Sequence, residues 1–236
     1  MNRMMKSIEG ILLVDKPKGK TSFSLITALR KILSVQKIGH AGTLDPMASG
    51  VMILLIGKKF TSLSDQFLGL NKEYIAEITL GSSTDTYDAE GIVNAESTIL
   101  PTLEEVQEAL RCFQGKIEQI PPMFSAKKVN GKKLYELARQ GKEIERKSVA
   151  IEVYSELISF EYPKVILSLH CSKGTYVRSI AHDLGRMLGS LGHLSGLVRS
   201  KSGPFSIGEC LPGCELFENP LEEAKLSILR HLRTSS

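Results

Sequence analysis

Apolar positions along this chain follow two periods. Ile11-Leu12-Leu13-Val14 is a short continuous apolar run, the pattern of a buried strand, and Val51 to Ile56 is another. Tyr74, Ala76, Ile78 and Leu80 alternate with Ile75, Glu77 and Thr79, as in a strand with one buried face. Ile151 to Phe160 and Val165 to Cys171 read as two further strands, close enough in sequence to pair, and another strand precedes the Gly203-Pro204 break. Elsewhere the spacing is helical. Phe23, Ile26, Leu29 and Leu33 make the apolar face of a helix that Thr21 or Ser22 can cap. Thr102-Leu103-Glu104-Glu105 is a capping box that opens a second helix, with Gly115 available to close it. Lys133 to Gln140, Thr175 to Leu188 and Leu221 to Leu232 read as three more. Strands and helices mix without regular βαβ alternation, which predicts an α+β fold over a doubly wound sheet.

Composition narrows this picture only a little. The 236 residues, 42% of them apolar, allow a sizeable core in one large domain or two modest ones. A formal charge of +4 permits a polyanionic partner without demanding one. The cysteines Cys112, Cys171, Cys210 and Cys214 form no C-x-x-C pair, so they read as packing or surface thiols and no metal site is expected. Met1 to Lys6 is basic, but the apolar run after it is too short for a secretion signal, and no run approaches the length of a membrane span. The expected setting is the cytosol, where thiols stay free.

The chemistry concentrates in Gly39-His40-Ala41-Gly42-Thr43-Leu44-Asp45-Pro46-Met47-Ala48-Ser49-Gly50, where three glycines and a proline surround one carboxylate and one imidazole. Pro46 pushes Asp45 out of the helical region, and glycine admits close approach by another molecule. A carboxylate held out in this way can serve as nucleophile or base. An Asp-Pro turn between two strands uses the same residue types and is their commoner meaning. Gly19-Lys20-Thr21-Ser22 looks like the end of a phosphate-binding loop, but Val14 stands where that motif requires glycine. Asp85, Asp88 and Glu90 lack calcium-loop spacing. Lys18, Lys20, Lys127, Lys128, Lys132 and Lys133 are either solvated surface or, as a group, phosphate contacts.

Further motifs accompany the glycine-framed aspartate. They are Asp15-Lys16-Pro17, Lys72-Glu73-Tyr74, Thr84-Asp85-Thr86-Tyr87-Asp88-Ala89-Glu90-Gly91 and Pro121-Pro122-Met123-Phe124-Ser125-Ala126. Gly131-Lys132-Lys133-Leu134-Tyr135-Glu136 and Ser172-Lys173-Gly174-Thr175-Tyr176-Val177-Arg178 follow. In this order and spacing, over nearly the whole chain, they resemble the TruB family of tRNA pseudouridine synthases. The resemblance implies a central, mixed and mostly antiparallel sheet with helices and loops flanking an RNA-binding cleft. It implies one catalytic domain over residues 1–236, with too few residues after Pro204 for the C-terminal PUA domain that bacterial members often carry.

Activity and site residues are likewise expectations from the resemblance. The reaction is isomerisation of the T-loop uridine conventionally numbered 55, in tRNA, by a monomer that needs no protein partner, no membrane and no metal or organic cofactor. Asp45 matches the nucleophile that bonds covalently to the flipped nucleotide, with attack at uracil C6 or ribose C1′ left open. Arg178 matches the arginine paired with that aspartate; a guanidinium in reach favours the ionised carboxylate. Tyr74 matches the tyrosine that stacks on the base and takes part in proton removal. Tyr176 and Leu197 match residues of the base pocket, and His40 matches the histidine that enters the T-loop beside the space the uridine leaves. Asp88 falls where an acid supports the arginine, and Lys16 with Pro17 braces the catalytic loop. Ala41, where threonine is common, and Gly196-Leu197-Val198, where a bulkier and more basic stretch is usual, depart from the pattern. A non-enzymatic RNA-binding module would share the basic and aromatic residues but has no use for a nucleophile.

Overall fold

Each apolar run of the sequence forms a strand in the computed structural model, which describes residues 8–125, 127–129 and 131–234. The basic start at Met1 to Lys6, Ala126 of the Pro121–Ala126 motif and the side chain of Lys128 lie outside the described residues. The chain forms two units, Met1–Glu73 with Val198–Ser236, and Tyr74–Leu197.

The first unit opens with β1 (Gly10–Lys16), α1 (Ser22–Leu33), β2 (Ile38–His40), β3 (Ser49–Ile56), α2 (Lys58–Thr61) and α3 (Ser64–Leu68). β1 and β3 pair antiparallel from Gly10 opposite Ile56 to Lys16 opposite Gly50, and β2 adds antiparallel to β3. Leu13, Ile53, Leu55, Ala41 and Phe60 form one buried cluster. β3 is buried at nearly every position, so its pattern is a continuous run and not an alternation. Thr21 caps α1, accepting from Ser24 N at 3.1 Å. The buried stripe of α1 is Ser22, Leu25, Ile26, Leu29, Ile32 and Leu33. Phe23, expected on that face, is 61% exposed because it lies off the stripe, with the Arg30 guanidinium 5.9 Å from its ring centroid.

The second unit runs through β4 (Lys72–Leu80), β5 (Ser82–Thr84), β6 (Val93–Glu96), α4 (Leu103–Leu110), β7 (Gln114–Gln119), β8 (Lys128–Val129), β9 (Lys132–Lys133), α5 (Leu134–Ala138), β10 (Val149–Glu161), β11 (Lys164–Cys171), α6 (Val177–Met187) and the start of β12 (Gly192–Ser202). Its sheet has the order β12-β4-β11-β10-β7. β10 and β11 form the expected hairpin, from Val153 opposite Cys171 to Glu161 opposite Lys164. Tyr74, Ala76, Ile78 and Leu80 are the buried face of β4, as the alternation predicts. The capping box at Thr102 is formed on both sides. Gly115 does not close α4. The helix stops at Leu110, a 3-10 turn follows with Phe113 buried, and Gly115 lies in β7 opposite Val153. Strand pairing, which is a tertiary demand, starts before the glycine is reached.

The chain returns to the first unit with the end of β12, then β13 (Phe205–Ser206), β14 (Leu211–Pro212), α7 (Glu215–Glu218) and α8 (Leu221–His231). β12 pairs parallel with β3, Val198 opposite Ser49 and Arg199 opposite Gly50, and β14 pairs parallel with β1. The fold is α+β with mixed, mostly antiparallel pairing.

Candidate active site

Asp45 sits in the first unit on the loop between β2 and β3, half-buried. A turn closed by Ala48 N donating to Asp45 O at 3.1 Å brings the chain back into β3. The peptide groups around it are held from below. Ser22 Oγ accepts from Leu44 N and donates to Leu44 O, both at 2.9 Å. Pro46 O accepts from Gly19 N at 2.8 Å and from Lys16 Nζ at 3.3 Å. Lys16 is wholly buried and also donates to Pro17 O and Lys20 O. Arg199, 1% exposed, donates through Nε to Val51 O at 2.6 Å and through Nη2 to Gly42 O at 3.4 Å.

Two glycine-framing features of the motif acquire reasons here. Gly50 has φ of +109°, and a Cβ on it would lie 2.3 Å from Arg199 O, so β12 can pass only over a glycine. Asp15 Oδ1 accepts from Gly50 N at 3.0 Å, which gives this rival carboxylate a structural task; burial pushes its pKa up, against the pull of that N–H and of Lys16. His40 ends β2. Its Nδ1 is buried without a hydrogen-bond partner among the described residues. Burial, then the Arg199 charge, pushes its pKa below the ordinary histidine range, so it is neutral at pH 7.

In the second unit Arg178 occupies the first turn of α6 and is 7% exposed. Its Nη1 lies 3.4 Å from Asp88 Oδ2 and donates to Thr86 O at 3.2 Å, while Nη2 donates to Phe124 O at 3.1 Å. Asp88 is buried too, and its Oδ1 accepts from Thr86 Oγ1 at 2.7 Å and Glu90 N at 3.0 Å. A charge pair taken this far from water needs its remaining lone pairs and protons satisfied as well, and these contacts supply part of that. Gly91 belongs to the same arrangement: a Cβ there would lie 2.2 Å from Thr86 Oγ1. Tyr176 holds the N-cap position of α6 in extended backbone. Gln119 of β7 grips it on both sides, donating to Tyr176 O at 3.1 Å and accepting from Tyr176 N at 2.8 Å. Tyr74 on β4 and Leu197 on β12 are each 9% exposed. A cavity of about 320 Å³ opens beside Tyr87, Phe124, Asn94, Asp85, Lys142 and Arg146.

Of the expected site residues, the structure brings Arg178 to Asp88 in the second unit and Lys16 to the Asp45 loop in the first. Asp45 belongs to the first unit and Arg178 to the second. Sequence reasoning missed Arg199, Gln119 and the latching role of Ser22. Arg199 left one trace: it stands two residues from Leu197 in a strand, hence on the same, buried side. Gln119 left none. Burial pushes the Cys171 and Cys210 thiols up to about 12, which disfavours their reactive thiolate forms. Among the described residues no group of three or more His, Cys, Asp or Glu side chains could hold a metal ion, and no helix is long and apolar enough to cross a membrane.

Residues 30–177 match the family model described as TruB family pseudouridylate synthase, N-terminal domain. A protein of Protochlamydia amoebophila named tRNA pseudouridine synthase B is 61% identical over 209 residues, which cover 89% of this chain and 80% of that protein. One of the same name from Chlamydia muridarum is 54% identical over 236 residues, covering 100% of this chain and 96% of the other. Among solved structures, a Cbf5-Nop10-Gar1 complex contains a chain 29% identical with a TM-score of 0.65, over 86% of this chain and 52% of that one. This chain thus spans about half the length of that structural relative. A match of this extent to the family model, with relatives of this identity along 80% and 96% of their lengths, leads to one conclusion: the chain belongs to the TruB family of pseudouridylate synthases.

Proposed function

We propose that this protein isomerises uridine 55 in the T-loop of tRNAs to pseudouridine, with Asp45 as nucleophile. The observation that carries the reading is the presentation of Asp45. The peptide groups of both its neighbours, Leu44 and Pro46, are fixed by buried donors, in a member of a pseudouridylate synthase family whose relatives are named for tRNA.

The chemistry requires the C1′–N1 glycosidic bond to break and a C1′–C5 bond to form. The target uridine must first leave its stack, which costs a few kcal/mol. Tyr74 serves as the aromatic platform for the flipped base, where stacking is worth about 1–3 kcal/mol. Tyr176 and Leu197 bound the base, and Arg178, held by Asp88, is assigned the counter-charge to the nucleophile. His40, neutral, fills space by stacking and shape. Lys16 braces the loop. Bond making and breaking leave the overall redox state unchanged and consume no nucleotide, so neither cofactor nor metal is called for. The substrate is the T-arm of tRNA, the setting is the cytosol, and no protein partner is needed.

The test is tritium release from unmodified tRNA carrying 5-³H-uridine, because joining C5 to the sugar expels that hydrogen. Wild type should release tritium and Asp45→Asn should not, while retaining tRNA binding. Binding without release by wild type would replace the enzyme with an RNA-binding module, and release by both would place the nucleophile elsewhere.

A further inference from the structure

Three successive inward-facing carbonyls flank or neighbour Asp45, those of Gly42, Leu44 and Pro46, and each takes a buried side-chain donor from a different element. Lys16 comes from β1, Ser22 from the start of α1 and Arg199 from β12. Arg199 is the one whose presence packing does not explain. It is a fully buried guanidinium, and no carboxylate among the described residues pairs with it; its partners are Val51 O, Gly42 O and Met52 Sδ. Burying a charge is expensive, and apolar residues of similar volume serve a core at least as well. What a guanidinium adds is a rigid fork of donors. Here one edge of the fork spans the loop, tying Gly42, three residues before Asp45, to Val51, where β3 is already under way.

We propose that Arg199 is a positioning residue for Asp45, fixing both ends of the loop so that the carboxylate is presented in one place. This inference rests on the functional reading above. Arg199 is out of reach of RNA, so its removal should leave substrate binding alone and act on the chemical step. A displacement of about 1 Å at a reacting group lowers rate by about a hundredfold.

The experiment is steady-state tritium release by wild type, Arg199→Met and Arg199→Lys, with thermal denaturation of each. Methionine keeps the volume and removes the fork. Lysine keeps the charge but offers a point donor. For Arg199→Met the expected result is kcat lowered about a hundredfold, KM for tRNA within about threefold of wild type, and a cooperative melting transition that shows the variant is folded. Arg199→Lys should recover part of kcat. A folded Arg199→Met with kcat within about threefold of wild type would reduce Arg199 to a space-filling role and overturn the proposal. Should Arg199→Met fail to fold, Arg199→Lys decides alone: a kcat loss beyond about tenfold at unchanged KM supports the fork, and kcat near wild type overturns it. Absence of release by wild type overturns the functional reading itself, and the role of Arg199 falls with it.

Discussion

Gly50 concentrates the demands of the loop into a single residue. Its φ of +109° is foreign to L side chains, and the atoms nearest an added Cβ are the backbone N, C and O of Arg199, which cannot swing aside. Gly50→Ala should therefore be destabilised by about 3 kcal/mol or more, since backbone strain and overpacking add. Gly208→Ala is the matched control, with nothing within 4 Å of the new Cβ and no positive φ. It should stay within about 0.5 kcal/mol of wild type. Urea denaturation of the two variants checks this, and similar stabilities would mean that β12 can shift away from β3. Residues of this kind were half legible in the sequence. A glycine-framed aspartate is visible in the sequence, but which glycine meets which backbone is not, because the obstructing atoms belong to residue 199.

Between elements, α6 is tied to the Thr84–Gly91 loop twice, by Arg178 with Asp88 and by His182 stacked on Tyr87 with ring centroids 3.8 Å apart. The second tie has a pH signature. Burial, then the Arg186 charge, pushes the His182 pKa below its ordinary value, and its Nδ1 is buried without a partner among the described residues. The unfolded chain takes up that proton near pH ~6.5 and the folded chain only at lower pH. Between the two the unfolded state binds more protons, so stability is whole above the ordinary histidine range and is lost as pH falls through it. His182→Phe keeps a stacking ring and removes the titration. Its stability should fall less between pH 7.5 and pH 5 than that of wild type, measured by urea unfolding. Some loss should persist, because His40 is shifted in the same direction. Equal losses in both proteins would show that His182 titrates as an ordinary histidine. Strands and helices themselves were largely legible, since periodicity records which face is covered. Their ends were less so: α4 stops where β7 must begin pairing with β10, and Phe23 falls off the stripe it was expected to join.

At the scale of the molecule, the modest net charge conceals an uneven distribution. The unit holding Asp45 carries sixteen Lys and Arg against ten Asp and Glu, and the other carries fourteen against sixteen. An excess of basic residues in the unit that holds the proposed nucleophile suits a polyphosphate substrate. Affinity for tRNA should fall about tenfold or more between 50 and 200 mM salt, and Lys18→Gln with Lys20→Gln should flatten the log–log slope by about two. A salt-independent affinity, followed by filter binding, would remove phosphate contacts from the account. The excess can be read along the chain, since it lies wholly in residues 1–73, but the latch under Asp45 cannot, because it includes Arg199 from the segment 198–236 that returns to the first unit. The sequence by itself determined the longer elements, the family and the identity of the candidate nucleophile, all of which are written in short-range periodicity and contiguous motifs. Only the tertiary structure decided that Arg199 lies beneath the loop, donating to a carbonyl 148 residues earlier in the chain. That placement follows from the parallel pairing of β12 with β3, a long-range register that no local pattern specifies.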